Sequence, residues 1–107
     1  MDDGPANATF RHSETDGEPV LHVDGEIDVA NAGLFRRELD AALARSSGAI
    51  SVDFSGVGFI DSSGIGVLVG VLKAAQARGG SVTILDPTAS SRRLFEITGL
   101  TEEFGLA

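Results

Sequence analysis

Apolar and polar residues alternate with a period of two in two stretches near the start of the chain. Residues 9–13 predict a first β-strand, and residues 20–25 predict a second. The segment between them, "ETDGEP", contains the aspartate, glycine and proline that turns favour. We therefore expect the two strands to form a hairpin, preceded by a short flexible tail over residues 1–8.

The period then changes to that of a helix. Over residues 28–46, apolar side chains recur every three or four positions, which predicts a helix with Asp28 or Asn31 as its N-cap. Residues 50–55 return to alternation and predict a strand that ends at Gly56.

The next segment, residues 62–78, is ambiguous because "IGVLVGVL" is rich in β-branched residues and glycine. It is too long for an ordinary strand, however, and the strand predicted over residues 81–85 needs a crossover connection to reach its neighbour. We therefore predict a helix, with Gly66 and Gly70 allowing it to lie close to the sheet. A shorter helix is predicted over residues 90–98.

The resulting order of elements, ββαβαβα, is that of one small α/β domain over residues 9–107. The later strands should be parallel and joined by right-handed crossovers. We expect a mixed sheet of about four to five strands with the helices packed against it.

Composition limits the class of protein. With 107 residues, of which 42% are apolar, the chain is long enough for one hydrophobic core. The absence of cysteine excludes disulfides, thiolate metal sites and a cysteine nucleophile. Because no apolar run reaches membrane-spanning length and no secretion signal is visible, we expect a cytoplasmic protein without membrane contact.

The charge of the chain is negative and unevenly distributed. The net charge is −8, and residues 1–28 alone hold eight acidic side chains against one basic side chain. Such a surface repels phosphate backbones, so nucleic-acid binding is not expected. The acidic stretch leaves two explanations open: it binds a basic protein surface, or it only keeps the domain soluble.

The stretch "GVGFIDSSGIGVLVG", residues 56–70, places two serines inside an apolar run. An enzyme with Ser63 as nucleophile is one explanation, but the context is not the G-x-S-x-G elbow, and His12 and His22 belong to the first two strands. The chain shows no metal-ligand spacing, and its glycines match neither the dinucleotide fingerprint nor the P-loop. We therefore expect no metal, no cofactor and no enzymatic activity.

A serine at the start of a helix can instead be a site of modification. The first N–H groups of a helix lack partners within it and favour a negative group. A phosphoryl group beside Asp61 would add about −1.5 to −2 charges and oppose docking of an apolar or acidic partner. Exposed Ile60 and Ile65 would supply the apolar contact. The alternative is that Ser62 caps the helix and Ser63 has no special role.

Three segments of the chain resemble the STAS domains of bacterial anti-sigma factor antagonists. Residues 52–64 contain the apolar strand with aspartate, the short loop and the apolar-Asp-Ser-Ser-Gly turn of that family, and an apolar helix follows. "VDGEIDVANA", residues 23–32, resembles the segment before its first helix, and "RRLFEITGLTEEF", residues 92–104, resembles its final helix. The resemblance covers nearly the whole chain from residue 9, in the same order.

The resemblance implies a phosphorylation-controlled binding protein of a stress-response or sporulation pathway. In such proteins the second serine of the turn, here Ser63, is phosphorylated by a partner anti-sigma factor, a serine kinase that brings its own ATP and magnesium. The unphosphorylated form binds that kinase and frees a sigma factor for transcription, and a serine phosphatase reverses the modification. The resemblance also implies a contact face that consists of Asp28, Ile60, Asp61, Ser62, Gly64 and Ile65.

Two other functions remain open from the sequence. One is a STAS scaffold or sensor subunit of a larger assembly, in which the serine is not a switch. The other is the small enzyme with Ser63 as nucleophile. Members that form transporter tails lack a phosphorylatable residue, so the presence of Ser63 argues against that group.

Overall fold

The computed structural model describes residues 7–106, which form four strands and three helices. In chain order they are β1 (Ala8–Thr15), β2 (Glu18–Ile27), α1 (Ala32–Ala44), β3 (Ala49–Ile60), α2 (Ser62–Ala77), β4 (Ser81–Leu85) and α3 (Ala89–Ile97). The predicted order of elements is confirmed. Of the predicted tail, residues 1–6 lie outside the described residues, and Ala8 already belongs to β1.

The strands form one mixed sheet in the order β1-β2-β3-β4. β1 and β2 are antiparallel and meet at a two-residue turn, in which Asp16 and Gly17 have φ angles of 54° and 83°. Two positive φ angles suit the right-handed twist of a tight hairpin. β2, β3 and β4 run parallel, as predicted, so the carboxyl ends of β2 and β3 lie side by side.

A row of phenylalanine rings connects the sheet to the helices. Phe35 of α1 lies 6.0 Å from Phe10 of β1 and 6.4 Å from Phe54 of β3, measured between ring centroids. Phe95 of α3 continues the row, 6.0 Å from Phe54 and 5.5 Å from Phe104. Because α2 packs beside α1 against β3 and β4, all three helices cover one face of the sheet. The opposite face carries no helix from residues 7–106.

Strand β3 is longer than the pattern predicts. The prediction that it ends at Gly56 is wrong: the strand continues to Ile60, with two register shifts in its pairing with β2. At Gly56 the side chain of Asp24 in β2 occupies the space that a Cβ would need. A bulge interrupts the period of two, so a glycine within the strand resembles a strand end.

The predicted crossover helix is confirmed as α2, but a different glycine brings it to the sheet. A Cβ on Gly66 would meet open space, and one on Gly70 would meet only an arginine side chain of α1. A Cβ on Gly64 would instead lie 2.7 Å from both Ile27 Cγ2 and Ile60 Cγ1. The first turn of α2 therefore rests directly on the ends of β2 and β3.

The segment after α3 is held by the sheet without forming a helix or strand. Gly99, with a φ of 72°, ends α3, and residues 101–105 form turns. Phe104 is fully buried, and its carbonyl oxygen accepts a hydrogen bond of 2.9 Å from Ile84 N in β4. The segment thus covers part of the outer edge of β4.

Candidate functional site

The two serines lie at the edge of the sheet where β2 and β3 end. Asp61 N, directly after β3, donates a hydrogen bond of 3.2 Å to Ile27 O, the last residue of β2. Ser62 then begins α2. Because β2 and β3 are parallel, the start of α2 lies beside the loop that follows β2. This is the position where parallel sheets commonly bind ligands and partners.

Asp61, and not Ser62, is the N-cap of α2. Its Oδ1 accepts hydrogen bonds from Ser63 N at 2.9 Å and from Gly64 N at 3.4 Å. The interpretation of Ser62 as the cap is wrong because Asp61 already satisfies those N–H groups, which leaves Ser62 exposed in the first turn. The hydrogen bond from the Ser63 hydroxyl outweighs partial burial, and with the two backbone N–H groups it holds the pKa of Asp61 below its ordinary value.

The hydroxyl of Ser63 is directed toward Asp61. Ser63 Oγ donates a short hydrogen bond to Asp61 Oδ1, and the side chain is half-buried. Ser62 is exposed, whereas Ser63 is held at the start of the helix. A modification that replaces the hydroxyl proton of Ser63 removes this hydrogen bond to the carboxylate.

The loop between β2 and α1 places a second carboxylate at the same edge. Asp28 Oδ1 accepts a hydrogen bond of 3.0 Å from Ala30 N, and Asp28 N donates one of 3.0 Å to Asn31 Oδ1. Asn31 Nδ2 donates to Glu26 O at 2.8 Å. The prediction of Asn31 as the N-cap residue of α1 is confirmed, but its buried side chain makes no capping hydrogen bond to the helix and closes the loop instead.

The expectation that Ile60 and Ile65 are exposed is wrong. Their side chains are 5% and 7% exposed and belong to the core. Within residues 7–106, the exposed large apolar side chains are Val29 at 81%, Phe59 at 49% and Ile97 at 70%. Since adjacent residues of a strand point to opposite faces, the burial of Ile60 goes with the exposure of Phe59.

The three exposed apolar side chains are called here the apolar rim (Val29, Phe59, Ile97). Val29 follows β2 in the loop of Asp28, and Phe59 precedes the turn in β3. A shallow cavity of about 250 Å³ joins Phe59 to Ile97 of α3. Its lining residues are Phe59, Ile60, Ser90, Arg93, Leu94 and Ile97. Helix α3 thus contributes to the same end of the sheet through the residues that line this cavity.

Neither histidine contacts the turn. His12 contacts Glu38 and Arg45, which connects β1 to α1, and His22 contacts two side chains on strands β1 and β3. Ser63 therefore has no imidazole base. Among residues 7–106, no group of three or more histidine or acidic side chains is placed to hold a metal ion. None of the helices in this part of the chain has the length and apolar character of a membrane span.

The sequence and the fold both match known proteins. The model of the STAS domain family matches residues 10–107. The chain belongs to the STAS domain family. It is 33% identical over 96 residues to the anti-sigma-B factor antagonist of Bacillus subtilis (strain 168), a match that covers 90% of this chain and 85% of the relative. The resemblance to bacterial anti-sigma factor antagonists is therefore confirmed.

Solved structures of STAS proteins show the same architecture. An anti-sigma factor antagonist from Mycobacterium paratuberculosis has a TM-score of 0.79 and 28% identity, covering 97% of this chain and 87% of that protein. The anti-sigma factor antagonist SpoIIAA in its unphosphorylated form has a TM-score of 0.76 and 26% identity, covering 89% and 84%. SpoIIAA of Bacillus in the phosphorylated form has a TM-score of 0.70, covering 89% and 87%.

In this STAS domain the predicted site residues fall into two layers. Asp28, Asp61, Ser62 and Ser63 lie at or near the surface, and Ile60, Gly64 and Ile65 lie beneath them. The apolar rim was not predicted from the sequence, although the neighbouring positions of Phe59 and Ile60 in one strand were a signal that only one of the two is buried.

Proposed function

We propose that this STAS domain is an anti-sigma factor antagonist controlled by phosphorylation of Ser63. Its unphosphorylated form binds an anti-sigma factor that is a serine kinase and releases the sigma factor, in the cytoplasm. Phosphorylation ends that binding, and a serine phosphatase restores it. The observation that carries the proposal is the placement of the Ser63 hydroxyl at the start of α2, against Asp61, in a turn that directly follows the strand end with the exposed Phe59 of the apolar rim.

The partner-binding face combines apolar contacts with acidic charge. The apolar rim provides the side chains that a partner can desolvate, while Asp28 and Asp61 provide negative charge. We therefore propose a partner surface with an apolar centre and basic side chains. Ser62 lies on this face. Gly64 allows the first turn of α2 to pack closely against the sheet, and the buried side chains of Ile60 and Ile65 support the face from beneath.

Phosphorylation of Ser63 acts on this face through charge. The phosphate adds about −1.5 to −2 charges next to the ionised Asp61. It also replaces the hydroxyl donor of the hydrogen bond to Asp61 with an acceptor group, and it competes with that carboxylate for Ser63 N and Gly64 N. The added charge must therefore remain largely hydrated, and covering it with an apolar partner surface is unfavourable.

Kinase assays with matched serine variants test the proposal. The parent chain, Ser63→Ala and Ser62→Ala are incubated with purified candidate anti-sigma factor kinases, ATP and magnesium, and the phosphate is located by mass spectrometry. We expect one phosphate in the parent chain and in Ser62→Ala, and none in Ser63→Ala. Phosphate on Ser62 alone would overturn the assignment.

Binding measurements separate the switch from a scaffold function. Ser63→Ala should bind the kinase as the parent chain does, and Ser63→Asp should bind at least about tenfold more weakly, a loss of about 1.4 kcal/mol. Equal affinity of Ser63→Asp and the parent chain would refute the charge mechanism. Tight binding without phosphorylation would instead indicate a scaffold subunit.

A further inference from the structure

A chain of three hydrogen-bonding side chains lies on the face of the sheet opposite the helices, away from Ser63. Ser13 Oγ of β1 is 2.7 Å from His22 Nε2 of β2, and His22 Nδ1 is 2.8 Å from Asp53 Oδ2 of β3. Because neighbouring strands carry the three residues, the sheet itself fixes their spacing. The sequence did not reveal the group, since its members are far apart in the chain.

The hydrogen bonds orient the imidazole of His22 as a base for Ser13. Asp53 Oδ1 accepts a hydrogen bond of 2.9 Å from Ser55 N, which fixes the carboxylate. Burial opposes ionisation of Asp53, but the hydrogen bonds from Ser55 and His22 outweigh it and keep its pKa below the ordinary value. An ionised Asp53 accepts only, so Nδ1 of His22 donates to it, and in the neutral imidazole Nε2 is then the acceptor for the hydroxyl of Ser13.

A cavity on the same face is lined by the cross-strand partners of Ser13 and Asp53. It has a volume of about 360 Å³ and is lined by Thr15, Asp16, Glu18, Val20, Ser51 and Leu85. Val20 is the cross-strand partner of Ser13, and Leu85 is the cross-strand partner of Asp53. Cross-strand partners share a face, so the apolar walls of the cavity adjoin the hydrogen-bonded group.

We propose that Ser13 is a nucleophile for small uncharged acyl esters, with His22 as its general base and Asp53 as the positioning residue. Ser13 Oγ attacks the ester carbonyl carbon and its proton passes to His22 Nε2. The bond from the carbonyl carbon to the alcohol oxygen breaks, and His22 returns the proton to the leaving alcohol. Water, deprotonated by His22, then releases the acid and free Ser13, so that ester and water give acid and alcohol.

The cavity indicates which acyl groups are accepted. Val20 and Leu85 offer apolar contact to a short alkyl chain, and Asp16 and Glu18 repel an anionic acyl group. Short neutral esters such as p-nitrophenyl acetate and butyrate are therefore suitable probes, and a succinyl ester of the same phenol should react more slowly.

Hydrolysis of p-nitrophenyl acetate by the full chain tests the proposal. The parent chain should release p-nitrophenolate and carry an acetyl group on the Ser13 peptide in mass spectrometry. Ser13→Ala should lose both, and His22→Gln should react about 10²-fold more slowly, the usual contribution of a general base. The matched controls are His12→Gln, on the other face of the sheet, and Ser63→Ala, and both should react as the parent chain does.

The Ser13→Ala variant decides between Ser13 and direct attack by an imidazole. If Ser13→Ala hydrolyses the ester as fast as the parent chain, His22 itself reacts and the proposal is overturned. Asp53→Asn supplies an amide that donates to Nδ1 and so favours the tautomer with the proton on Nε2. The Asp53→Asn variant should hydrolyse the ester more slowly than the parent chain, while its unfolding temperature stays close to that of His22→Gln. Nitrogen NMR of His22 should show the changed tautomer. An unchanged tautomer would refute the role of Asp53. Because Ser63 takes no part, this test can fail without affecting the proposed switch.

Discussion

Replacing Gly64 by alanine is expected to destabilise the domain by overpacking the junction of α2 with the sheet. The new Cβ would lie 2.7 Å from Ile27 Cγ2 and Ile60 Cγ1, and 2.9 Å from Ile60 Cδ1, against an ordinary contact of 3.4–4 Å. Both isoleucines are buried, at 0% and 5% exposure, so neither can turn into solvent. An extra methyl group in such a packed site costs about 1–3 kcal/mol.

The better helix propensity of alanine opposes this cost, and Gly66→Ala measures it separately. Alanine is favoured over glycine in a helix by about 1 kcal/mol. A Cβ at Gly66, in the same helix, would meet open space. Gly66→Ala should therefore stabilise the domain by about 0.5–1 kcal/mol, and the difference between the two variants should equal the overpacking cost of about 1–3 kcal/mol.

Urea unfolding followed by circular dichroism checks this difference. With about 4–8 °C per kcal/mol for a domain of this size, the two variants should also differ by at least about 4 °C in Tm. Equal stability of Gly64→Ala and Gly66→Ala would refute the close contact at Gly64. Because Gly64 sets the distance between the first turn of α2 and the sheet, Gly64→Ala should weaken kinase binding as well, whereas Gly66→Ala should not.

Three further predictions concern the cap, the pH dependence and the apolar rim. Asp61→Ala removes the N-cap of α2 and should lower the free energy of unfolding by about 1 kcal/mol, measured by urea titration. Asp53 and Asp61 have lowered pKa values in the folded chain, so their ionised forms stabilise the folded chain at pH values above their ordinary pKa of about 4. This stabilisation should disappear as the pH falls from about 5 through the lowered pKa values. Thermal unfolding at a series of pH values should thus show a shallower acid slope for Asp53→Asn with Asp61→Asn than for the parent chain, and an identical slope would contradict the assignment. Phe59→Ser and Ile97→Ser should each weaken kinase binding about tenfold without loss of fold, as measured by calorimetry, because each removes an exposed apolar contact.

The architecture could be predicted from the sequence, but the local details at the ends of strands could not. Period and turn residues were sufficient for the order of strands and helices, because each element has one buried face. The prediction of a strand end at Gly56 was wrong because glycine is favoured both where a strand ends and where a side chain of the neighbouring strand leaves no room for a Cβ. That ambiguity is resolved only by the neighbouring strand, which a local pattern does not contain.

The candidate site was predictable in position and less so in the roles of its side chains. The serine turn was found because a polar group interrupts an apolar run. Whether Asp61 or Ser62 caps the helix depends on a one-residue shift of the helix start, since both residue types cap well. The exposure of Phe59 and burial of Ile60 follow from the bulged register of β3, which the period of two does not reveal.

The position of Asp61 determines what kind of switch this site can form. A phosphate at a free helix N-terminus is drawn inward by unpaired N–H groups. Here Asp61 already accepts hydrogen bonds from Ser63 N and Gly64 N. A phosphate on Ser63 is therefore stabilised less by these N–H groups and remains on the surface that faces the partner. The switch should therefore act by repulsion and hydration at the surface, with little rearrangement of the fold. Amide NMR shifts on phosphorylation should be confined to the first turn of α2 and the loop after β2; large shifts in β4 or α3 would indicate a conformational mechanism instead.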